Sequence, residues 1–215
     1  MSPLRLLRCS TSSSISTSYL LRSPPSSAPR EVPTPLVFVS ASRWDAASSS
    51  GMTEFASMLA ERGFTCLEVD LAPPKDRQSN ADTLMHYFET GECLSSHIRL
   101  CAIPFPPVIF ARSFGSLIAQ TYISSYPASG LLLISPPVSN EAVPSALLPS
   151  SLREFDFEPK FPCGILYAQG EMKRLEHNRL WGDPNVDRLM VKDTGAIDGR
   201  EGQAKIEQWL DEIGV

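Results

Sequence analysis

Only three histidines occur in the 215 residues, His86, His97 and His177, so chemistry that needs an imidazole base has few places to find one. The five cysteines, Cys9, Cys66, Cys93, Cys101 and Cys163, form no C-x-x-C pair and have no histidine cluster at metal-ligand spacing. That excludes a zinc site and a disulfide framework, and it fits a reducing compartment. No apolar run is long enough to span a bilayer. Neither G-x-G-x-x-G nor G-x-x-x-x-G-K-[ST] follows any apolar run. The common glycine-rich phosphate cradles are therefore missing, and no cofactor is expected. There are no internal repeats.

Acidic residues are absent from positions 1–30, which carry Arg5, Arg8, Arg22 and Arg30. Positions 31–215 then hold 15 basic and 24 acidic side chains. A body that acidic repels phosphate backbones, which excludes nucleic acid as a partner. The acid-free stretch is rich in Ser and opens with Leu4-Arg5-Leu6-Leu7-Arg8. These features match a mitochondrial presequence, which must be cationic and able to form an amphipathic helix. The plain alternative is a disordered tail. Pro24, Pro25, Pro29, Pro33 and Pro35 then break any helix. Residues 1–35 are accordingly expected to be a targeting segment and proline-rich linker for a mitochondrial matrix protein. Residues 36–215 are expected to be one domain.

Within that domain, short apolar runs alternate with helical patterns. Leu36–Ala41, Cys66–Leu71, Pro107–Ala111, Gly130–Ser135, Cys163–Ala168 and Val186–Val191 read as strands, the unalternating ones buried on both faces. Between them, Met52, Phe55, Met58 and Leu59 share one helical face, ended by Gly63, and Ile206, Trp209, Leu210 and Ile213 share another. Residues 80–101 read as helical with a break near Gly91. Alternation of this kind predicts an α/β fold: a three-layer, doubly wound sheet of about six mostly parallel strands.

One stretch organises the rest. Val108-Ile109-Phe110-Ala111-Arg112-Ser113-Phe114-Gly115-Ser116 runs from strand to helix through a serine flanked by Ala111 and Gly115. Small residues two before and two after a serine are what a nucleophile elbow requires. Read alone, Ser113 is equally a helix cap. With its strand and helix, the stretch resembles the α/β-hydrolase family, and the element order over residues 36–213 is similar to that family's core. Residues 138–160 then take the place of the family's cap, in a short form.

The resemblance implies Ser113 as nucleophile, with the backbone N–H of Phe114 and of Ala41 as oxyanion donors. It also implies an acid after the fifth strand and a histidine before the last helix, in the chain order Ser, acid, His. Here this chain departs from the pattern. The acid position, three residues past Gly170, holds Lys173, and Glu171 is the nearest substitute. Asp193 is a further carboxylate near the same edge. The histidine position in Asp193-Thr194-Gly195-Ala196 holds Ala196. His177 is the histidine nearest the expected edge, in a charged segment where an exposed role is the plain alternative. Two functions follow: a hydrolase-fold protein that binds an acyl small molecule or a protein partner without catalysis, or an active esterase or thioesterase using Ser113 with a non-standard base.

Overall fold

The computed structural model describes residues 17–76, 78–91, 94–100 and 105–215. Cys9, Cys93, Cys101 and residues 1–16 of the expected targeting segment lie outside the described residues.

Seven strands form one sheet: β1 (Ser18–Arg22), β2 (Val32–Ser40), β3 (Phe64–Asp70), β4 (Val108–Arg112), β5 (Gly130–Ile134), β6 (Cys163–Ala168) and β7 (Val186–Val191). Their spatial order is β1-β3-β2-β4-β5-β6-β7. The last six in sequence are parallel, as their apolar runs imply, and β1 pairs antiparallel with the outer edge of β3. β1 is one strand more than expected, drawn from the stretch read as leader and linker. Its Leu20 and Leu21 lie opposite Glu68 and Leu67, and Arg22 forms an ion pair with Glu68. The chain returns from β1 to β2 through Pro24 and Pro25, which need no ladder partner there.

Side chains alternate across the parallel strands and build a separate core on each face. On one face Phe38 and Phe110 stack with ring centroids 4.6 Å apart, under α1 (Met52–Glu61) and α7 (Arg200–Glu212). Phe55, Leu59, Ile206 and Trp209 close that face, each at most 1% exposed. Burying one such side chain is worth roughly 1.5–3 kcal/mol, so the amphipathic stripes decide where these helices lie. Gly164 on β6 leaves room for Trp209, since a Cβ there would stand 2.8 Å from Leu132 Cδ1 and 3.2 Å from Trp209 Cε2.

On the other face Val37, Val39, Ile109 and Leu133 pack under α2 (Ala81–His86), α3 (Leu94–Leu100) and α4 (Gly115–Ser125). Between α2 and α3 the backbone winds as a π-helical turn, Tyr87–Gly91, where the sequence pattern broke. The segment from Ser135 to Pro162 crosses this face without helix or strand and anchors through Val143, Leu148 and Leu152. It is the short cap. Two short helices, α5 (Met172–Leu175) and α6 (Thr194–Ile197), follow the carboxyl ends of β6 and β7.

Candidate functional site

The carboxyl end of β4 turns sharply into α4 at Ser113, whose φ is +53°. A non-glycine residue in that region costs of order 1–3 kcal/mol and persists only where neighbours hold it. Here Ser113 N–H donates to Ile134 O at 3.0 Å, extending the β4–β5 ladder by one rung. The buried Ser116 hydroxyl donates to Ser113 O at 2.6 Å. Gly115 meets the need for a small residue: a Cβ there would stand 3.1 Å from Ser48 Cβ and 3.5 Å from Val39 O. The elbow is therefore pressed against the end of β2 and the loop that follows it. Ser113 is half-buried, and among the described residues its hydroxyl has no hydrogen-bond partner.

Both N–H groups expected as oxyanion donors are already bonded inside the protein. Phe114 N–H donates to Asp45 Oδ2 at 3.0 Å, and Ala41 N–H donates to Ser48 Oγ at 3.0 Å. Asp45 is 9% exposed, and its other oxygen caps the 3₁₀ turn Ala46–Ser49 by accepting from Ala47 N–H at 3.1 Å. The Ser48 hydroxyl then donates to Asp45 O at 2.6 Å. Asp45 thus places a carboxylate at the N-terminus of α4, where the helix dipole favours negative charge. Two unit charges 4 Å apart repel by about 4 kcal/mol near a protein surface, so a second anion there would be opposed.

The other expected partners are each engaged elsewhere. Glu171 accepts from the Ser135 hydroxyl at 2.7 Å and from Ala168 N–H at 3.0 Å, and pairs with Arg174 at 2.8 Å. Ser135 has φ +45° at the end of β5, so Glu171 braces a second strained serine beside the elbow. His177 is exposed just beyond α5, and its ring has no hydrogen bond or ion pair among the described residues. Lys173 is exposed on α5. Asp193 is the N-cap of α6, accepting from Ala196 N–H at 2.9 Å, which turns the base position into the first turn of a helix. His86 lies in α2 with its ring on Thr90 and Glu89, and His97 lies in α3. No hydrogen bond or ion pair joins Ser113, Glu171 and His177 to one another among the described residues.

Arg112, between the small residue and the serine, ties the whole edge together. Its guanidinium donates to Ser50 O at 2.8 Å and forms an ion pair with Asp198, just past α6. Gly51 at φ +69° lets the chain pass this pair, because a Cβ there would fall 2.2 Å from Asp198 Oδ1. Asp45, Ser48, Arg112 and Asp198 thus define the site's chemistry, and none was singled out from the sequence. Only Asp45 left a signal, an acid opening the small-residue run Ala46-Ala47-Ser48-Ser49. Its partner at Phe114 lies 69 residues away.

No metal-binding group of three or more His, Cys, Asp or Glu exists among the described residues. No described helix is long and apolar enough to cross a membrane. Cys66 and Cys163 are buried and free, and burial pushes both thiols up, Cys163 to about 12, so neither is a ready nucleophile. Two cavities lie away from Ser113. One of about 690 Å³ sits at the carboxyl ends of β2 and β3 beside β1, lined by Tyr19, Phe38, Ser42, Arg43, Met52 and Asp70 among others. One of about 300 Å³ sits between α2, α4 and the cap.

No protein-family model matches the chain, and no curated protein matches it in sequence. Solved structures do. Est2, a thermophilic esterase from the Planctomycetes species Thermogutta terrifontis, superposes with a TM-score of 0.66 at 15% identity, covering 98% of this chain and 92% of its own. An alpha-beta serine hydrolase homologue from Coxiella burnetii gives 0.61 at 14% identity, over 91% of each chain. MenH from S. aureus gives 0.60 at 15% identity, over 92% of this chain and 99% of its own.

Proposed function

We propose that this chain, whose fold is that of the α/β-hydrolases, is a binding protein that keeps the serine elbow without its catalysis. The observation that carries this reading is the Asp45 carboxylate on Phe114 N–H. An esterase leaves that donor free for the oxyanion, and losing one such donor costs about 10²–10³ in rate. Here the donor is occupied by a group of the same charge as the one it would have to stabilise. The base position at Ala196 and the acid position at Lys173 agree with it, since alanine cannot take a proton from Ser113 and a lysine cannot orient an imidazolium as a carboxylate does. The cavity of about 690 Å³ supplies a place for a small molecule, within the range such sites occupy. An acyl small molecule or a protein partner are the ligands the reading allows.

The test is reaction with a serine-directed fluorophosphonate at neutral pH. Wild type should label no faster than Ser113→Ala. The free hydroxyl at a strained φ is the one observation that favours an active hydrolase instead. Rapid labelling lost in Ser113→Ala would establish that second reading and overturn the first. Loss of that labelling in His177→Ala would name the base.

We also propose mitochondrial targeting, supported by the acid-free, arginine-bearing start of the chain. Because Ser18–Arg22 contributes a strand, removal of a leader at Leu36 would take β1 with it. Residues 1–35 fused to a fluorescent reporter should carry it to mitochondria, and an evenly cytosolic reporter would refute the proposal.

A further inference from the structure

The cavity of about 300 Å³ between α2, α4 and the cap is strongly acidic. Asp82, Glu89, Glu154 and Asp156 line it, against Arg153 and His86 as the basic groups. Asp82, Glu154 and Asp156 are exposed at the rim. Glu89 is different. It is only 7% exposed, packed beside the buried side chains of Met85 and Leu152, which line the same cavity. Its Oε1 is sealed from solvent and has no hydrogen-bond partner among the described residues, while Oε2 stands 3.6 Å from Nδ1 of the exposed His86. A buried carboxylate oxygen left without a hydrogen bond is costly, and proteins rarely leave one so placed without a ligand or an ion near the group.

The backbone that places Glu89 is itself irregular. Tyr87–Gly91 is a π-helical turn, and the Ser95 hydroxyl holds its register by donating to Glu89 O at 3.0 Å. The apolar walls and acidic rim define the ligand. A bare metal ion would find no group of three ligating side chains among the described residues. An ammonium on an alkyl stem would lay its stem against Met85, Leu152 and Phe155 and bring its charge to Glu89.

We propose that this cavity binds a primary aliphatic ammonium, with Glu89 as the anchoring carboxylate. It stands apart from the Ser113 reading, because no residue of the elbow lines it. The same chemistry has two sources, a free diamine or the lysine side chain of a partner protein.

The experiment titrates full-length protein with diaminobutane and with a trilysine peptide, each against sodium chloride of matched ionic strength, by calorimetry and amide NMR. Saturable binding should shift the amides of Met85, Thr121 and Phe155. Glu89→Gln should weaken it by about tenfold or more, the loss of one charge-assisted hydrogen bond. The variant should melt close to wild type, since the buried charge it removes meets only the exposed His86, at 3.6 Å. Thr121→Lys places an ammonium at the cavity wall and should abolish binding independently, keeping the proposal testable if Glu89→Gln folds poorly. Tighter binding of the peptide, lost in the same variants, would support the proposal and name a lysine as the source. No binding, binding unchanged in both variants, or binding reproduced by sodium chloride would overturn it. Phosphonate labelling plays no part in these outcomes, so failure here leaves the Ser113 reading standing.

Discussion

The elbow at Ser113 and the loops that face it, residues 41–51 and 193–199, have fared differently. The elbow has the backbone of a hydrolase: positive φ, a ladder bond to β5, a small residue at Gly115. The facing loops are bonded to it and to themselves. Asp45 holds the Phe114 N–H, Ala196 lies in the first turn of α6, and Asp198 is spent on Arg112. The difference separates what packing maintains from what chemistry maintains. A strand–turn–helix wedged against β2 keeps its shape whether or not it reacts, because any change of shape disturbs two cores. A base and an oxyanion hole hold nothing together, so nothing but catalysis would preserve them.

The largest effect should come from breaking the packed half. Gly115→Val would drive a branched side chain into Ser48 and the Val39 carbonyl. Overpacking of that kind costs about 1–3 kcal/mol. At about 2–4 °C per kcal/mol for a protein of this size, thermal unfolding should fall by several degrees. Asp45→Ala comes next. It removes the cap of the 3₁₀ turn and the acceptor of Phe114 N–H together, a loss of about 1–2 kcal/mol. Asp45→Asn keeps an acceptor for Phe114 and discards the charge, so it should recover much of that stability. If elbow and loop depended on each other only through catalysis, both Asp45 variants would melt like wild type.

The halves were also unequally legible in the sequence. The six parallel strands, the two helical faces and the turn at Ser113 all follow from local patterns, apolar runs and small residues at fixed offsets, and these stand in the structure as read. Ala196 and Lys173 were legible as departures, because each occupies a position defined by its neighbours. What replaces the missing groups was not legible. The Asp45–Phe114 bond spans 69 residues and the Arg112–Asp198 pair spans 86. No period or spacing marks such pairs. β1 was hidden for another reason: five residues between a Ser/Thr-rich stretch and Pro24-Pro25 are too short a run to stand out from a leader and linker.

A smaller effect tests whether the facing loop is tethered to the elbow or merely near it. Asp198 is partly exposed, and an ion pair so placed is worth about 0–1 kcal/mol after screening. Asp198→Ala should therefore cost less than 1 kcal/mol. Arg112→Ala should cost more, since its side chain is only 12% exposed and also holds the Ser50 carbonyl. Raising the salt concentration should shrink the effect of Asp198→Ala and leave most of that of Arg112→Ala. Equal costs at all salt concentrations would mean that the Ser50 contact contributes nothing.

The smallest expected effect is the most discriminating. Ser113→Ala removes a hydroxyl that has no partner among the described residues, and alanine meets the same φ penalty as serine. The two proteins should therefore agree in stability to within about 0.5 kcal/mol, as surface substitutions do. A hydroxyl engaged by a base behaves otherwise. If the segment carrying His177 swung in to accept from Ser113, the variant would lose a hydrogen bond worth about 1 kcal/mol. A protonated imidazole cannot accept, so that loss would appear only where the ring is neutral. Melting curves of wild type and Ser113→Ala at pH 5 and pH 8 decide the matter. Parallel curves at both pH values leave the serine unattended, as the bonding of Asp45, Glu171 and Asp193 to other groups requires. A gap that opens only at pH 8 would mean that the elbow still has a catalytic partner in solution.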